Sequence, residues 1–190
     1  YNTDLEVEGV NFDITNGTLT GDVHFFGGLS DVDITDVVIE SAIDFQVIDR
    51  SRTTVDGGSI VAANAIIGVG SPDTAILTLV DTMMTVTGST GIELGQDSRG
   101  VLNVTNNSTL VTNAIVWSTS LSSSARVLVA NDSVMHLPGA LVLGENGSDL
   151  LTIQDGSPVS AQSLSIGTTA SGGVPGFGEL SWSAVAAADI

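Results

Sequence analysis

Residues 101–118 read VLNVTNNSTLVTNAIVWS, and this stretch decides the fold. It contains three short runs in which apolar and polar residues alternate, separated by an Asn-Asn-Ser turn and a short Asn-Ala link. Alternation with a period of two is typical of β-strands, because successive side chains point to opposite faces of a strand. The period of 3.6 that marks an amphipathic helix is not present. The stretch therefore predicts three short strands joined by tight corners.

The same pattern recurs at a nearly constant spacing. A motif of aliphatic, any, apolar and small residue recurs with offsets of 25, 23, 26 and 23 along the chain, beginning at Ile67, Ile92, Ile115, Leu141 and Leu164. A second apolar-x-apolar motif lies between these copies and begins at Leu77, Leu102, Val127 and Leu151. One such coil cannot bury its apolar face alone, but stacked coils can. The sequence predicts an all-β fold, a right-handed parallel β-solenoid (β-helix) of roughly 23–26-residue coils.

The repeat spacing divides the chain into three predicted regions. Residues 53–182 hold the regular solenoid repeats, and residues 183–190 form an apolar C-terminal tail expected to contact the last coil or another subunit. Residues 1–52 keep strand alternation but lose the spacing, so they are predicted to form an irregular N-terminal β cap or docking region. Within them, Ile43-Asp44-Phe45 precedes Ile67 by one repeat length and is interpreted as a degenerate copy of the first motif.

Two segments resemble a known class of repeat. Residues 101–118 and the segment LLTIQDGSPVSAQSLSIG at 150–167 are similar to repeats of bacterial autotransporter passengers and related secreted β-solenoids, which run G-x-L-x-V-x-x-G-S, then a strand, then L-x-I-G. The resemblance covers residues 53–182, although Gly is often missing before the Ser. It implies a secreted β-helix presented on a cell surface, and it implies no catalytic residues.

The composition restricts the partners. The 190 residues include 22 Asp or Glu against only 4 basic residues, a formal net charge of −18. Binding to nucleic acid needs a basic surface, so no nucleic-acid partner is expected. No apolar stretch is long enough to cross a bilayer, so no membrane span is expected. Cys is absent, which excludes disulfides and thiolate chemistry. The start at Tyr1 is interpreted as a sign of processing, which favours a secreted or cell-surface location.

The densest acidic cluster supplies the metal candidates. Asp31, Asp33 and Asp36 lie close together in the sequence, and carboxylate oxygens are the ligands that calcium prefers. Calcium is therefore the one candidate cofactor. The alternative is that these carboxylates form a solvated strand face of a very acidic protein, since neither an EF-hand loop nor the glycine-rich calcium nonapeptide is present.

No constellation in the sequence indicates catalysis, so we expect that the protein is not an enzyme. His24 and His136 are far apart and cannot complete a zinc site by themselves. No G-x-S-x-G elbow occurs. Arg50 and Arg52 lie close to Asp49 and are interpreted as partners in local ion pairs, with binding of an acidic sugar as the other option.

These observations predict an extracellular structural protein. A repeat array has unpaired strand edges at its ends, and end-to-end contacts that do not close produce filaments. We expect a subunit of a surface filament, sheath or appendage, or an adhesive stalk, with copies of itself as partners. The alternatives are a carbohydrate-binding or carbohydrate-active β-helix of the lyase or tailspike type, acting on a surface polysaccharide, and a fragment of a larger autotransporter passenger. A groove along the solenoid face with an exposed Trp117 or Trp182 would favour the carbohydrate alternative.

Overall fold

The chain forms strands throughout the residues described by its structure, a computed structural model that covers residues 5–26, 31–40, 43–69, 73–118, 120, 122–143, 147–166 and 176–183. In chain order the strands are β1 (Leu5–Glu8), β2 (Phe12–Thr20), β3 (Val23–Phe26), β4 (Asp31–Glu40), β5 (Asp44–Val47), β6 (Arg52–Ala62), β7 (Asn64–Val69), β8 (Thr74–Val80), β9 (Met83–Val86), β10 (Ile92–Gln96), β11 (Arg99–Thr105), β12 (Thr109–Thr112), β13 (Ile115–Val116), β14 (Ser124–Val129), β15 (Val134–Leu143), β16 (Ser148–Ile153), β17 (Val159–Ile166) and β18 (Phe177–Trp182). The described residues contain no helix. The predicted all-β solenoid of parallel strands is confirmed, with about 6 turns and a coil spacing of about 24 residues. Its right-handed sense stays a prediction, in line with the general preference for right-handed crossovers between parallel strands.

Each coil contributes to three faces. Face 1 is the six-stranded sheet β1-β3-β5-β7-β10-β13. Faces 2 and 3 belong to one twelve-stranded sheet, because long strands bend around the corner between them. For example, β6 pairs with β8 through its first half and with β9 through its second half. Face 2 runs from β2 through β4, β6, β8, β11, β14 and β16 to β18, and face 3 runs from the second halves of β2, β4 and β6 through β9, β12 and β15 to β17.

The interior is one continuous stack of aliphatic side chains. In β8, Ala75, Leu77 and Leu79 point inward and are fully buried, and the residues between them are half-buried. Leu77 is in register with Leu102 of β11, and Leu79 with Val104. Burial of each Leu or Ile side chain stabilises the fold by about 1.5–3 kcal/mol. The axial rows that these residues form are therefore the main source of stability.

The corner between faces 2 and 3 depends on left-handed backbone. The residues there have φ between 48° and 61°, and they are Asp81, Asn106, Asn107, Asn131, Asp132 and Asp155. Asn and Asp adopt this conformation more readily than other residues with a side chain, because their short polar groups bond to the local backbone. This requirement explains the Asn/Asp turn of each repeat.

A ladder of buried hydroxyl groups follows the same corner. The backbone N–H of Thr82 donates to Ser108 Oγ, that of Ser108 to Ser133 Oγ, and that of Ser133 to Ser157 Oγ, each at 3.1 Å. All four side chains are buried. Each serine hydroxyl therefore satisfies a backbone donor of the preceding coil, which a buried N–H requires.

The N-terminal region up to Arg52 continues the same coil with a shorter period. Val32 pairs with Phe12, and Thr53 pairs with Val32, so each coil here is several residues shorter than the coil that places Leu102 beside Leu77. Ile67 pairs with Val47 and not with Ile43, so the interpretation of Ile43-Asp44-Phe45 as a copy aligned with Ile67 is wrong. Shorter corners account for the smaller offset. The division at residues 52 and 182 stays a prediction, and residues 184–190 of the predicted tail lie outside the described residues.

Candidate functional site

The predicted calcium residues border an acidic groove on face 2. Asp31 and Asp33 point outward from β4 and are exposed. Asp33 is in register with Asp13 of β2, and Asp31 with Arg52 of β6. The four side chains line a groove of about 660 Å³. Directly opposed carboxylates such as Asp13 and Asp33 repel each other, so a cation would be favoured between them.

Asp36 does not line this groove. It occupies the corner between faces 2 and 3, with φ at 53°, where its carboxylate lies over Gly57 of the next coil. Among the described residues, no group of three or more His, Asp or Glu side chains is placed so that it could hold a metal ion. The structure thus places Asp31 and Asp33 in one groove and Asp36 outside it. Calcium binding by the three residues stays a prediction.

His136 and Arg50 each contact a side chain of the next coil, and His24 lies half-buried on face 1. His136 is exposed on β15 and its Nδ1 lies 2.7 Å from Ser160 Oγ on the next coil. His24 is half-buried on face 1, between Glu6 and Gln46. Arg50 Nε lies 2.8 Å from Asp73 Oδ2, so this arginine forms an ion pair, with a partner 23 residues further along the chain and not with its sequence neighbour Asp49.

The C-terminal end of the described solenoid exposes the interior of the stack. A cavity of about 570 Å³ opens there, and its apolar lining includes Leu141, Leu151, Ile153, Val159, Leu180 and Trp182. Nearly all of β17 is exposed, including Leu164 and Ile166. In earlier coils the residues at the equivalent inward positions are buried. The last described coil is therefore built like the others but has no coil packed against its outer side among the described residues.

The N-terminal end exposes the interior to a smaller extent. Ile14 and Leu19 of β2 are in register with Ile34 and Ile39 of β4. The β4 residues are completely buried, whereas Ile14 and Leu19 are only half-buried, and Phe12 is exposed. The described solenoid thus ends on both sides in apolar surface beside parallel strands with one unpaired edge.

The two tryptophans have opposite environments. Trp117 is 5% exposed and belongs to the core. Trp182 is 72% exposed at the rim of the C-terminal cavity. Neither lies on the long side of the solenoid as an exposed platform for a sugar ring. The exposed Trp182 instead extends the apolar surface of the open end.

Comparisons with known proteins leave the fold as the secure conclusion. Searches against family models, curated proteins and solved structures give no match for this chain. The chain is a β-solenoid, and its resemblance to autotransporter passengers is not supported by a matching family. No helix suited to crossing a membrane occurs in the described part of the chain.

One buried ionisable group was not singled out from the sequence. Asp149 is 1% exposed and points inward from β16, in register with Ala125 of β14. Ser118 donates a hydrogen bond of 2.6 Å to its Oδ1. A buried carboxylate destabilises a fold unless hydrogen bonds satisfy it. The sequence does contain a signal for this residue. The equivalent position of the preceding coils holds a small residue, Gly100 and then Ala125, and Asp149 breaks this row.

Replacing Ser118 by Ala tests this arrangement. We expect Ser118→Ala to lower the free energy of unfolding by about 2 kcal/mol, since a buried carboxyl group loses a hydrogen bond. Ser181→Ala, at an exposed serine of β18, serves as the control and should change stability by less than about 0.5 kcal/mol. Urea denaturation measures both. Equal effects of the two substitutions would show that the Ser118–Asp149 bond does not stabilise the fold.

Proposed function

We propose that this chain is an extracellular structural protein whose solenoid stacks end to end with further copies, as the subunit of a surface filament, sheath or adhesive stalk. The observation that supports the proposal most strongly is the open C-terminal end. Its apolar cavity of about 570 Å³ and its exposed strand β17 form a surface of the kind that the next coil covers in the earlier described coils.

The strand geometry favours a second copy as the occupant of this end. Every described strand pairs in parallel with its neighbours, so the free edges of β17 and β18 can pair with the free edges of β1 and β2 of another copy in the same sense. The half-buried Ile14 would then extend the inward row of side chains that ends in Trp182. The half-buried Leu19 would extend the inward row that ends in Val159. Such a head-to-tail contact uses two different surfaces and does not close on itself, which gives a linear polymer.

Charge at the two ends opposes stacking at low ionic strength. Glu6, Glu8 and Asp13 lie on the N-terminal strands, and Asp155 and Glu179 lie at the C-terminal end. Repulsion between exposed carboxylates is screened within about 8 Å at physiological ionic strength and within about 3 Å at 1 M salt. Assembly should therefore increase as salt is added.

Substitution of Trp182 tests the proposal. We expect wild-type protein to form species larger than a monomer in sedimentation velocity at high protein and salt concentrations. Trp182→Lys should remove them, because it places a charge at the rim of the apolar cavity. The matched control is Met83→Lys, which changes a similarly exposed apolar side chain on face 3, far from both ends. Both side chains are more than half exposed, so neither change should affect folding.

Two outcomes would contradict the proposal. In the first, the wild-type protein stays monomeric under all salt conditions, and a variant that lacks residues 184–190 assembles. The chain's own tail would then occupy the open end. The other is an equal loss of assembly in Met83→Lys, because the contact would then involve the long side of the solenoid.

The resemblance of residues 101–118 and 150–167 to autotransporter repeats supports the extracellular location in this proposal. A passenger domain would present the solenoid at a cell surface, where end-to-end contacts or extension by further coils would serve the same structural role. Determination of the coding sequence around this chain, together with fractionation of the host cells, tests both points. Recovery of the protein only in the cytoplasm would contradict the location.

A further inference from the structure

Two of the chain's four basic residues lie together on face 2. Arg99 of β11 is in register with Ser124 of β14, and Arg126 of β14 is in register with Val101. Arg126 is therefore one strand over and two positions along from Arg99. With a strand spacing of about 4.8 Å and a rise of about 3.3 Å per residue, their Cα atoms are about 8 Å apart. Both side chains point outward and are exposed.

The groove around these arginines has no acidic side chain in its lining. Arg99 and Arg126 line a groove of about 400 Å³, and none of its lining residues is Asp or Glu, although the chain has 22 acidic residues. In the part of the chain that the structure describes, neither arginine forms an ion pair, in contrast to Arg50. Arg52, on the same face, lies among Asp13, Asp31 and Asp33. The groove is thus a local positive site on a strongly negative protein.

Hydroxyl groups complete the groove. Thr74, Arg99, Ser124 and Ser148 form one row across the adjacent strands β8, β11, β14 and β16. No described protein group hydrogen-bonds to the side chains of Thr74, Ser124 or Ser148. Ser122 adds a fourth hydroxyl at the rim. The row spans about 14 Å at the usual strand spacing, and its free donors and acceptors match a polyhydroxylated ligand.

We propose that this groove binds the carboxylate of an acidic saccharide, with Arg99 and Arg126 contacting the carboxylate and the threonine and serine hydroxyls contacting the sugar hydroxyls. The planar guanidinium group is suited to carboxylate because it offers two parallel N–H donors. The groove volume is at the lower end of the range for small-ligand sites, which fits one or two sugar units. The net charge of −18 disfavours a polyanion, since each further negative charge on the ligand is repelled.

Isothermal titration calorimetry with sodium D-glucuronate at low ionic strength tests the proposal. We expect weak binding, with Kd on the order of 1 mM because no aromatic ring lines the groove. Arg99→Gln and Arg126→Gln should each weaken binding about tenfold. The matched control is Arg52→Gln, which removes the same charge from the same face outside the groove and should leave Kd within about twofold. Circular dichroism and thermal melting check that the exposed substitutions leave the fold unchanged.

Two further ligands and one further variant separate the acid from the sugar. D-glucose should bind much more weakly than glucuronate. The double variant Ser124→Ala/Ser148→Ala should weaken the binding of glucuronate but not the binding of inorganic sulfate. Three results would overturn the proposal: equal binding of glucose and glucuronate, equal effects of Arg52→Gln and Arg99→Gln, or sulfate binding as tight as glucuronate binding with no effect of the serine variant.

The same variants also test whether the groove contacts another subunit instead of a saccharide. If Arg99→Gln and Arg126→Gln reduce assembly in sedimentation velocity and glucuronate does not bind, the groove receives carboxylates of another copy and the saccharide proposal is wrong. Trp182→Lys should bind glucuronate normally, because the groove and the open end are different surfaces. A failure of end-to-end assembly therefore leaves this proposal testable by itself.

Discussion

Gly95→Ala is expected to lower the free energy of unfolding by about 4 kcal/mol, a large effect for the addition of a single methyl group. Gly95 is in β10, where face 1 turns toward face 2, and its φ is +72°. A Cβ atom there would overlap the carbonyl oxygen of Ser124 on the next coil and lie 3.0 Å from its carbonyl carbon. Because both contacts are with backbone, only a shift of whole strands would relieve them.

Gly156→Ala is the matched control for this prediction. Gly156 has the same φ of +72°, but a Cβ atom there would meet no other atom within 4 Å. Its substitution adds only the strain of a left-handed residue, about 1 kcal/mol. Chemical denaturation of both variants gives the difference of about 3 kcal/mol that we attribute to coil-to-coil contact. Equal losses in the two variants would show that the coils are not stacked as closely as described.

Ser133→Val is expected to lower the free energy of unfolding by about 3 kcal/mol. Ser133 is fully buried in the hydroxyl ladder, and its Oγ accepts the backbone N–H of Ser108. Valine removes that acceptor, and an unsatisfied buried donor costs about 1–3 kcal/mol. The added methyl groups must also fit into a closely packed corner, at a further cost of about 1 kcal/mol.

Ser133→Thr separates these two contributions. Threonine has nearly the shape of valine but keeps the hydroxyl group, and Thr82 already occupies the equivalent position of an earlier coil, where its backbone N–H donates to Ser108 Oγ. We expect a loss of only about 1 kcal/mol. Thermal and urea unfolding of the two variants measure the difference. If threonine and valine destabilise the protein equally, the ladder contributes shape and not hydrogen bonding.

The regular coils could be predicted from the sequence because one residue type satisfies one physical requirement at each position of the repeat. Leu77 and Leu102 are stacked as the repeat spacing predicts. Gly95 and Asn106 mark corners that need positive φ. These signals repeat at fixed offsets, so each copy supports the interpretation of the others.

The N-terminal coils were harder to predict because their period changes. The shorter offsets that pair Phe12 with Val32 and Val32 with Thr53 leave alternation intact but move each copy out of step with the longer pattern of the later coils. Alternation alone does not fix register, since Phe45 and Val47 both point inward and either could lie beside Ile67. The structure selects Val47.

The surface sites depend on neighbours that lie in different coils. Arg99 and Arg126 are separated in sequence by slightly more than one full coil, so their proximity on neighbouring strands is visible only once the register is known. The predicted acidic cluster shows the converse. Asp36 is close to Asp33 in sequence, but a left-handed corner separates it from the groove that Asp31 and Asp33 line.

End-to-end stacking of the solenoid is tested most directly by electron cryo-microscopy of the wild-type protein, concentrated at high ionic strength. The open apolar end and the parallel free edges predict unbranched fibres that are one solenoid wide. Their strands should be stacked along the fibre axis with a repeat of about 4.8 Å, and Trp182→Lys should give none. Fields of dispersed single solenoids at every salt and protein concentration would contradict the account.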